Sequence, residues 1–232
     1  MASQPKTPVP LLRLLLLLSG TTGMLDAASI LCLGKVFTAN MTGNVVFLAF
    51  AVAGAPGFSP LPFIVALAAF MIGAAVAGRI WRTRGSHVLR DWLLVAAGIE
   101  TVLLLLASLA ATGFDVARGE PLWKLVTILA LVSAAMGFRN AVVRQLKVPD
   151  LTTTVLTLTI TGIASDSRFA AGDAPNLPVR LGAVASIFAG ALVGALLVLH
   201  AGLTATLALT GGLVLLGTLI FARHPLMADL ER

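Results

Sequence analysis

Asp26, Thr38, Asn40, Thr42 and Asn44 stand in two neighbouring blocks, Gly23-Met24-Leu25-Asp26-Ala27 and Phe37-Thr38-Ala39-Asn40-Met41-Thr42-Gly43-Asn44, inside sequence that is otherwise almost wholly apolar. A related stretch from Gly137 to Thr161 carries Arg139, Asn140, Thr152, Thr153, Thr154, Thr157, Thr159 and Thr161. Hydroxyls and amides, with carbonyls freed where a helix unwinds, can replace a hydration shell or hold a polar solute. Helix N-termini aimed at the same place favour anions. A single Thr or Asn in such a setting is packing glue between helices. The two clusters together point to a site for a small solute or ion where the stretches face each other.

Charges inside apolar helices are costly unless paired or turned toward water. Asp26 corresponds to Asn140 in an internal repeat and Leu25 to Arg139, so Arg139 is the expected partner of Asp26. Two readings stay open for that pair. Asp26 is a proton or cation carrier or a gate residue, or the pair is an ionic lock between two halves of the chain. Glu100, near the middle of the Leu93–Ala111 run, is a second candidate for substrate or proton handling, and the sequence offers it no evident partner. His87, His200 and His224 are scattered without metal-ligand spacing. No HExxH, GxSxG, Walker or GxGxxG pattern occurs in a suitable context, so no metal or cofactor is expected and nothing in the sequence speaks positively for an enzyme.

The elements that must position these groups are membrane spans. Of 232 residues, 58% are hydrophobic and 11% charged, with a mean hydropathy of +1.00. Soluble domains carry about 25% charged residues, and too few polar residues remain here to coat a soluble core. The net charge of +6 does not mark a nucleic-acid binder, because the basic residues lie in short tracts between apolar runs. Those runs are Leu11–Leu33, Val36–Gly54, Leu61–Ile80, Leu93–Ala111, Leu122–Phe138, Leu151–Ala164, Leu181–Leu199 and Leu203–Phe221. Six approach the roughly 20 residues that a span needs. The runs starting at Val36 and Leu151 are rich in Thr, Asn or Gly and read as re-entrant or discontinuous helices, which lipid tolerates only where protein or a cavity surrounds them. Arg13 within the first run and Asp26 after it argue against a cleaved leader, so a retained first helix is expected. Arg79, Arg82, Arg84, His87 and Arg90 mark a cytoplasmic loop, and two re-entrant runs then put both termini on that side, with Lys35 as the one misfit.

The repeat relates about 9–112 to about 121–222 within a single membrane domain spanning 1–232. At a shift of 114, Gly23 meets Gly137, Thr38 meets Thr152 and Gly98 meets Gly212; at 117, Gly73 meets Gly190. Three spans plus one re-entrant piece per half make the second half enter from the opposite side, the inverted repeat common among secondary transporters, whereas four full spans per half would make the halves parallel. The expected fold is thus all-α and polytopic, with six spanning helices, two re-entrant or discontinuous helices and two inverted pseudo-symmetric halves. Gly73-x-x-x-Ala77 and Gly190-x-x-x-Gly194 fit close helix crossings, and their equivalence suggests that these two helices cross each other or build a homodimer.

Gly23-x-x-Asp26-Ala27, the Phe37 to Asn44 block, and Arg144 followed by Leu151-Thr152-Thr153-Thr154-Val155-Leu156-Thr157 resemble the YoaK-type family of bacterial membrane proteins. Leu158 departs from the pattern, standing where a small residue matching Gly43 is expected. The resemblance implies a bacterial inner-membrane protein with six spans, of a family without known function, so it transfers no substrate or catalytic residue. The reading from residues is a small secondary transporter or channel-like carrier. Its site is Asp26, Thr38, Asn40, Thr42, Asn44, Glu100, Arg139, Asn140, Thr153, Thr154 and Thr157, and its partners are the bilayer and a small solute or ion. The alternative is a non-transporting scaffold or a membrane-embedded enzyme.

Overall fold

The structure, a computed structural model, describes residues 8–84, 89–146, 156–170, 172–173 and 176–224. Among them are seven α-helices and no β-strand: α1 Val9–Cys32, α2 Met41–Val52, α3 Pro60–Arg84, α4 Leu89–Ala111, α5 Leu122–Leu146, α6 Leu156–Ser165 and α7 Leu177–Ala222, with one 3-10 turn at Arg168–Ala170. Five are long and apolar enough to cross a membrane: α1, α3, α4, α5 and α7. The two short ones, with 12 and 10 residues, reach only about 18 and 15 Å against a hydrocarbon core of about 30 Å. The last two expected spans form one element of 46 residues that leaves helical geometry at Gly202 (φ 81°, ψ 173°). A single glycine makes that turn, where a loop after Leu199 was expected.

Apolar side chains cover the outside as well as the core. Met71, Leu109, Phe188, Leu199 and Ile220 are 63 to 72% exposed, a surface that suits lipid and not water. Inside, the core divides into two layers along the bundle. One joins Leu25 and Cys32 to Phe63, Leu104, Ala107, Ile128 and Leu203. The other joins Leu14 and Leu18 to Ala77, Trp92, Phe138, Ala183 and Phe221. Each long helix passes from one layer to the other, and α7 leaves the second layer at Ala183, turns at Gly202 beside Leu203 in the first, and returns to the second at Phe221. The start of α1, the end of α7 and the basic residues Arg79, Arg82 and Arg90 therefore share one end of the bundle.

Glycines set how closely the long helices approach. A side chain on Gly190 would strike the backbone oxygen of Gly20, and one on Gly23 that of Ile187, so α1 and α7 cross backbone to backbone. The same contact recurs between α3 and α5, where Gly73 meets Ala134 and Gly137 meets Phe70. The two sets are related by the shifts already seen: 114 positions carry Gly20 and Gly23 to Ala134 and Gly137, and 117 carry Phe70 and Gly73 to Ile187 and Gly190. This corrects one expectation. The helices bearing Gly73 and Gly190 do not cross each other; each crosses the first helix of the other half.

The short helices lie at opposite ends. After Cys32 the chain turns through Gly34 and Lys35, both at positive φ (82° and 63°), a conformation that disfavours a residue with a Cβ such as Lys35. α2 then packs on α3, with Phe47 against Phe58 and Phe63 at 5.4 and 6.0 Å between ring centroids. α6 packs on the start of α7, where buried Arg180 donates to the Gly162 carbonyl (2.8 Å) and pairs with Asp166 (2.7 Å). That hydrogen bond, with a second from Ser165, holds the Asp166 carboxyl below its ordinary value.

The crossings predict an ordering of glycine variants in thermal unfolding of the purified protein. Gly190→Ala and Gly137→Ala must push two backbones apart and should each cost about 1–3 kcal/mol. Gly212→Ala, in open space within α7, should be neutral or stabilise by about 0.5–1 kcal/mol through its better helix propensity.

Candidate functional site

Asp26 lies six residues before the end of α1, about 9 Å inside it along the helix axis. Its Oδ1 accepts hydrogen bonds from the backbone N–H groups of Thr38 and Ala39, each at 3.0 Å, and from the Thr38 hydroxyl at 3.2 Å. The chain that leaves α1 at Cys32 therefore doubles back to the level of Asp26 before α2 begins. Asn44, fully buried in the first turn of α2, fixes the same loop from the other side. Its Oδ1 accepts from the Phe37 N–H at 2.9 Å, and its Nδ2 donates to the Phe37 carbonyl at 2.6 Å and to the Met41 sulfur at 3.6 Å. Together the two side chains satisfy consecutive amides of a non-helical segment, which lipid cannot do. Gly43 completes the fit, since a Cβ there would come within 2.8 Å of the Phe37 ring. Asn40 and Thr42, at the start of α2, are exposed and make no cap hydrogen bond.

Arg139 does not pair with Asp26, as the repeat suggested. It is spent on Glu100: Nε donates to Glu100 Oε2 at 3.0 Å and Nη2 to Oε1, a two-pronged ion pair between α5 and α4. The remaining prong, Nη1, donates to the Leu18 carbonyl at 3.0 Å and the Thr22 hydroxyl at 2.9 Å, both on α1. Glu100 and Arg139 are buried between the two core layers, beside a cavity of about 20 Å³ that Thr218 and Val214 also line. That volume suits one water molecule. One guanidinium thus joins three helices, and the planar fork of Arg meets two acceptor sets at once as a lysine ammonium cannot.

The second motif is placed in part. Asn140, the repeat counterpart of Asp26, donates to the Met136 carbonyl within its own helix at 2.9 Å. Thr157 is exposed on α6 and Thr159 buried. Thr152, Thr153 and Thr154 lie outside the described residues, and with them the place where the two motifs were expected to meet. Leu158, the departure from the motif, is 75% exposed. Sequence reasoning missed Leu18 and Thr22 as ligands of Arg139. The available signal was Thr22 one turn before Asp26, a hydroxyl on nearly the same face of a leucine-rich helix. It also missed Thr101 and Ser108 on α4, which donate to the Gly211 and Thr204 carbonyls of α7 at 3.1 and 2.8 Å. Among the described residues no group of three His, Cys, Asp or Glu is arranged as metal ligands.

Chemically, the charges around Arg139 separate into a neutralised pair and a lone acid. Glu100 and Arg139 cancel each other, while the donors on Asp26 are two amides and a hydroxyl, all neutral. A double-mutant cycle should show the difference. Arg139→Gln or Glu100→Gln alone leaves a buried unpaired charge and should cost about 3–5 kcal/mol in unfolding free energy. Glu100→Leu with Arg139→Met together should cost clearly less than the sum of Glu100→Leu and Arg139→Met made singly, whereas Asp26→Asn with Arg139→Met should depart less from additivity, since Arg139 acts on Asp26 only through space and without a hydrogen bond.

A family model described as "Protein of unknown function (DUF1275)" matches residues 14–220. UPF0700 transmembrane protein YoaK of Bacillus subtilis (strain 168) is 29% identical over 153 residues, which cover 66% of this chain and 65% of that protein, somewhat less than two thirds of its length. No solved structure matches. The resemblance read from the Asp26 and Phe37–Asn44 blocks is therefore borne out, and the chain belongs to the DUF1275 family of membrane proteins.

Proposed function

We propose that this protein is a small secondary carrier of a solute or ion, and that Asp26 is the charge that a proton or cation must neutralise during the transport cycle. One observation carries the reading: a carboxylate inside a span is held by neutral donors alone, because the nearby guanidinium is already occupied by Glu100. An unneutralised acid at that depth is costly, and a carrier that binds and releases a positive species has a use for it. Asn40 and Thr42, exposed at the start of α2 and next to the amides that Asp26 holds, extend the site.

The architecture proposed with it is six crossings, counting α7 as two across Gly202, with α2 and α6 as re-entrant half-helices and the halves inverted. It is supported by the recurring glycine crossings and by the positions of α2 and α6 at opposite ends of the bundle. The basic end faces the cytoplasm of a bacterial inner membrane. A reporter fused after Gly57 should then be active only on the outside, and one fused after Phe169 only on the inside.

A second reading, a non-transporting scaffold, draws on one fact: Asp26 and Asn44 are both engaged in tying down the loop of residues 36–40. Two substitutions separate the readings. Asp26→Asn keeps a carbonyl oxygen for the Thr38 and Ala39 amides, so it should unfold within a few degrees of wild type. Its proton or sodium flux in proteoliposomes, followed with a pH-sensitive dye under an imposed sodium gradient, should fall at least tenfold. Asp26→Ala should lose both flux and stability. Wild-type flux in Asp26→Asn, or a cysteine at Thr42 that no aqueous thiol reagent reaches from either side, would return the residues to a purely structural role.

A further inference from the structure

Away from the Asp26 region, a groove of about 220 Å³ opens on the lipid-facing side of the bundle at its basic end. Its walls are the first turns of α1 (Pro10, Arg13 and Leu17) and the last turns of α7 (Gly217, Ile220 and Phe221), with His224 at the mouth. Two features of the sequence make it. Gly217 has no side chain to fill the space, and Leu17 lies over it so closely that a Cβ there would come within 2.6 Å of Leu17 Cδ2. Ile220 is 72% exposed and Leu17 36%, so the apolar wall continues onto the lipid-facing surface instead of closing into the core. The volume is below the roughly 300–1,000 Å³ of sites that enclose a whole small ligand. It fits part of a molecule that extends beyond it.

The mouth is basic. Arg13 is exposed and has no hydrogen bond or ion pair among the described residues. Arg79, Arg82, Arg90, Arg144 and Arg223 share this end with the acids Asp91 and Asp166, of which Asp166 is already engaged by Arg180. An apolar slot between helix ends under an uncompensated guanidinium matches an amphiphile with an anionic head, and basic pockets between spans at a membrane face bind phospholipid headgroups in this way. We propose that this groove is a binding site for an anionic phospholipid, its phosphate held by Arg13 and one acyl chain laid along Leu17, Gly217 and Ile220. The site depends only on the chain being in a membrane, and stands whether or not Asp26 serves transport. Because the lipid bridges the start of α1 and the end of α7, it adds a tie between them.

Native mass spectrometry of the full chain, released from a neutral detergent and titrated with dioleoyl phosphatidylglycerol or dioleoyl phosphatidylcholine, tests the assignment. The expected result is at least fivefold stronger retention of phosphatidylglycerol, together with a rise in its thermal unfolding midpoint. Arg13→Gln should remove the preference and Arg13→Lys should keep most of it. Ile220→Trp, on an exposed position that does not threaten folding, should fill the slot and weaken binding several-fold. Equal retention of the two lipids overturns the proposal. So does a preference that survives both Arg13→Gln and Ile220→Trp, which would place the lipid on the other basic residues. Displacement by equimolar inorganic phosphate would show that the site reads a free anion, and overturns it too.

Discussion

Within hydrocarbon there is no solvent to satisfy a stray donor or charge, so the chain must provide every partner itself. The Arg139 guanidinium is where this constraint is most concentrated. It holds Glu100 on α4 with one pair of N–H groups and the Leu18 carbonyl and Thr22 hydroxyl on α1 with another. Thr22 is one turn from Asp26, Asp26 holds the amides of Thr38 and Ala39, and those amides set where α2 begins. A line of two polar clusters, one turn apart on α1, therefore runs from α4 through α5 and α1 to the short helix. The burial that surrounds it does not specify a register; the polar line does, because only one alignment of the helices satisfies all of its members.

Much of this was legible from hydropathy alone. The long helices start and stop close to their apolar runs, since a run of leucine, alanine and valine in lipid has no better option than to close its own hydrogen bonds. The run starting at Val36 was read as irregular, and its first residues are indeed a loop, betrayed by Asn and Thr in a place where an uninterrupted span has no use for them. Partnerships were less legible. Alignment of the repeat set Leu25 beside Arg139, yet positions that correspond in a repeated sequence need not touch. Glu100, for which no partner was evident, is the acid that Arg139 reaches. The same confusion of equivalence with contact paired the Gly73 and Gly190 helices, which instead each meet the first helix of the other half.

The repeated crossings also show which positions the halves hold in common and which have diverged. Small residues at Gly20, Gly23, Ala134 and Gly137 are kept because two backbones in contact leave no room for anything larger. Away from those crossings the counterparts differ in kind: Asp26 against Asn140, Gly43 against Leu158, Phe63 against Arg180. Unlike residues at these positions leave the two ends of the molecule chemically distinct.

The fastening of the short helices shows what that distinction entails. α2 is clasped by rings, Phe47 lying between Phe37, Phe58 and Phe63, whereas α6 is tied through Arg180 to a carboxylate and a carbonyl. Aromatic contact is indifferent to ionic strength, while a partly exposed ion pair weakens as electrolyte screens it and fails once its acid is protonated. The two mouths of the bundle thus answer differently to electrolyte: brine loosens one latch and leaves the other shut.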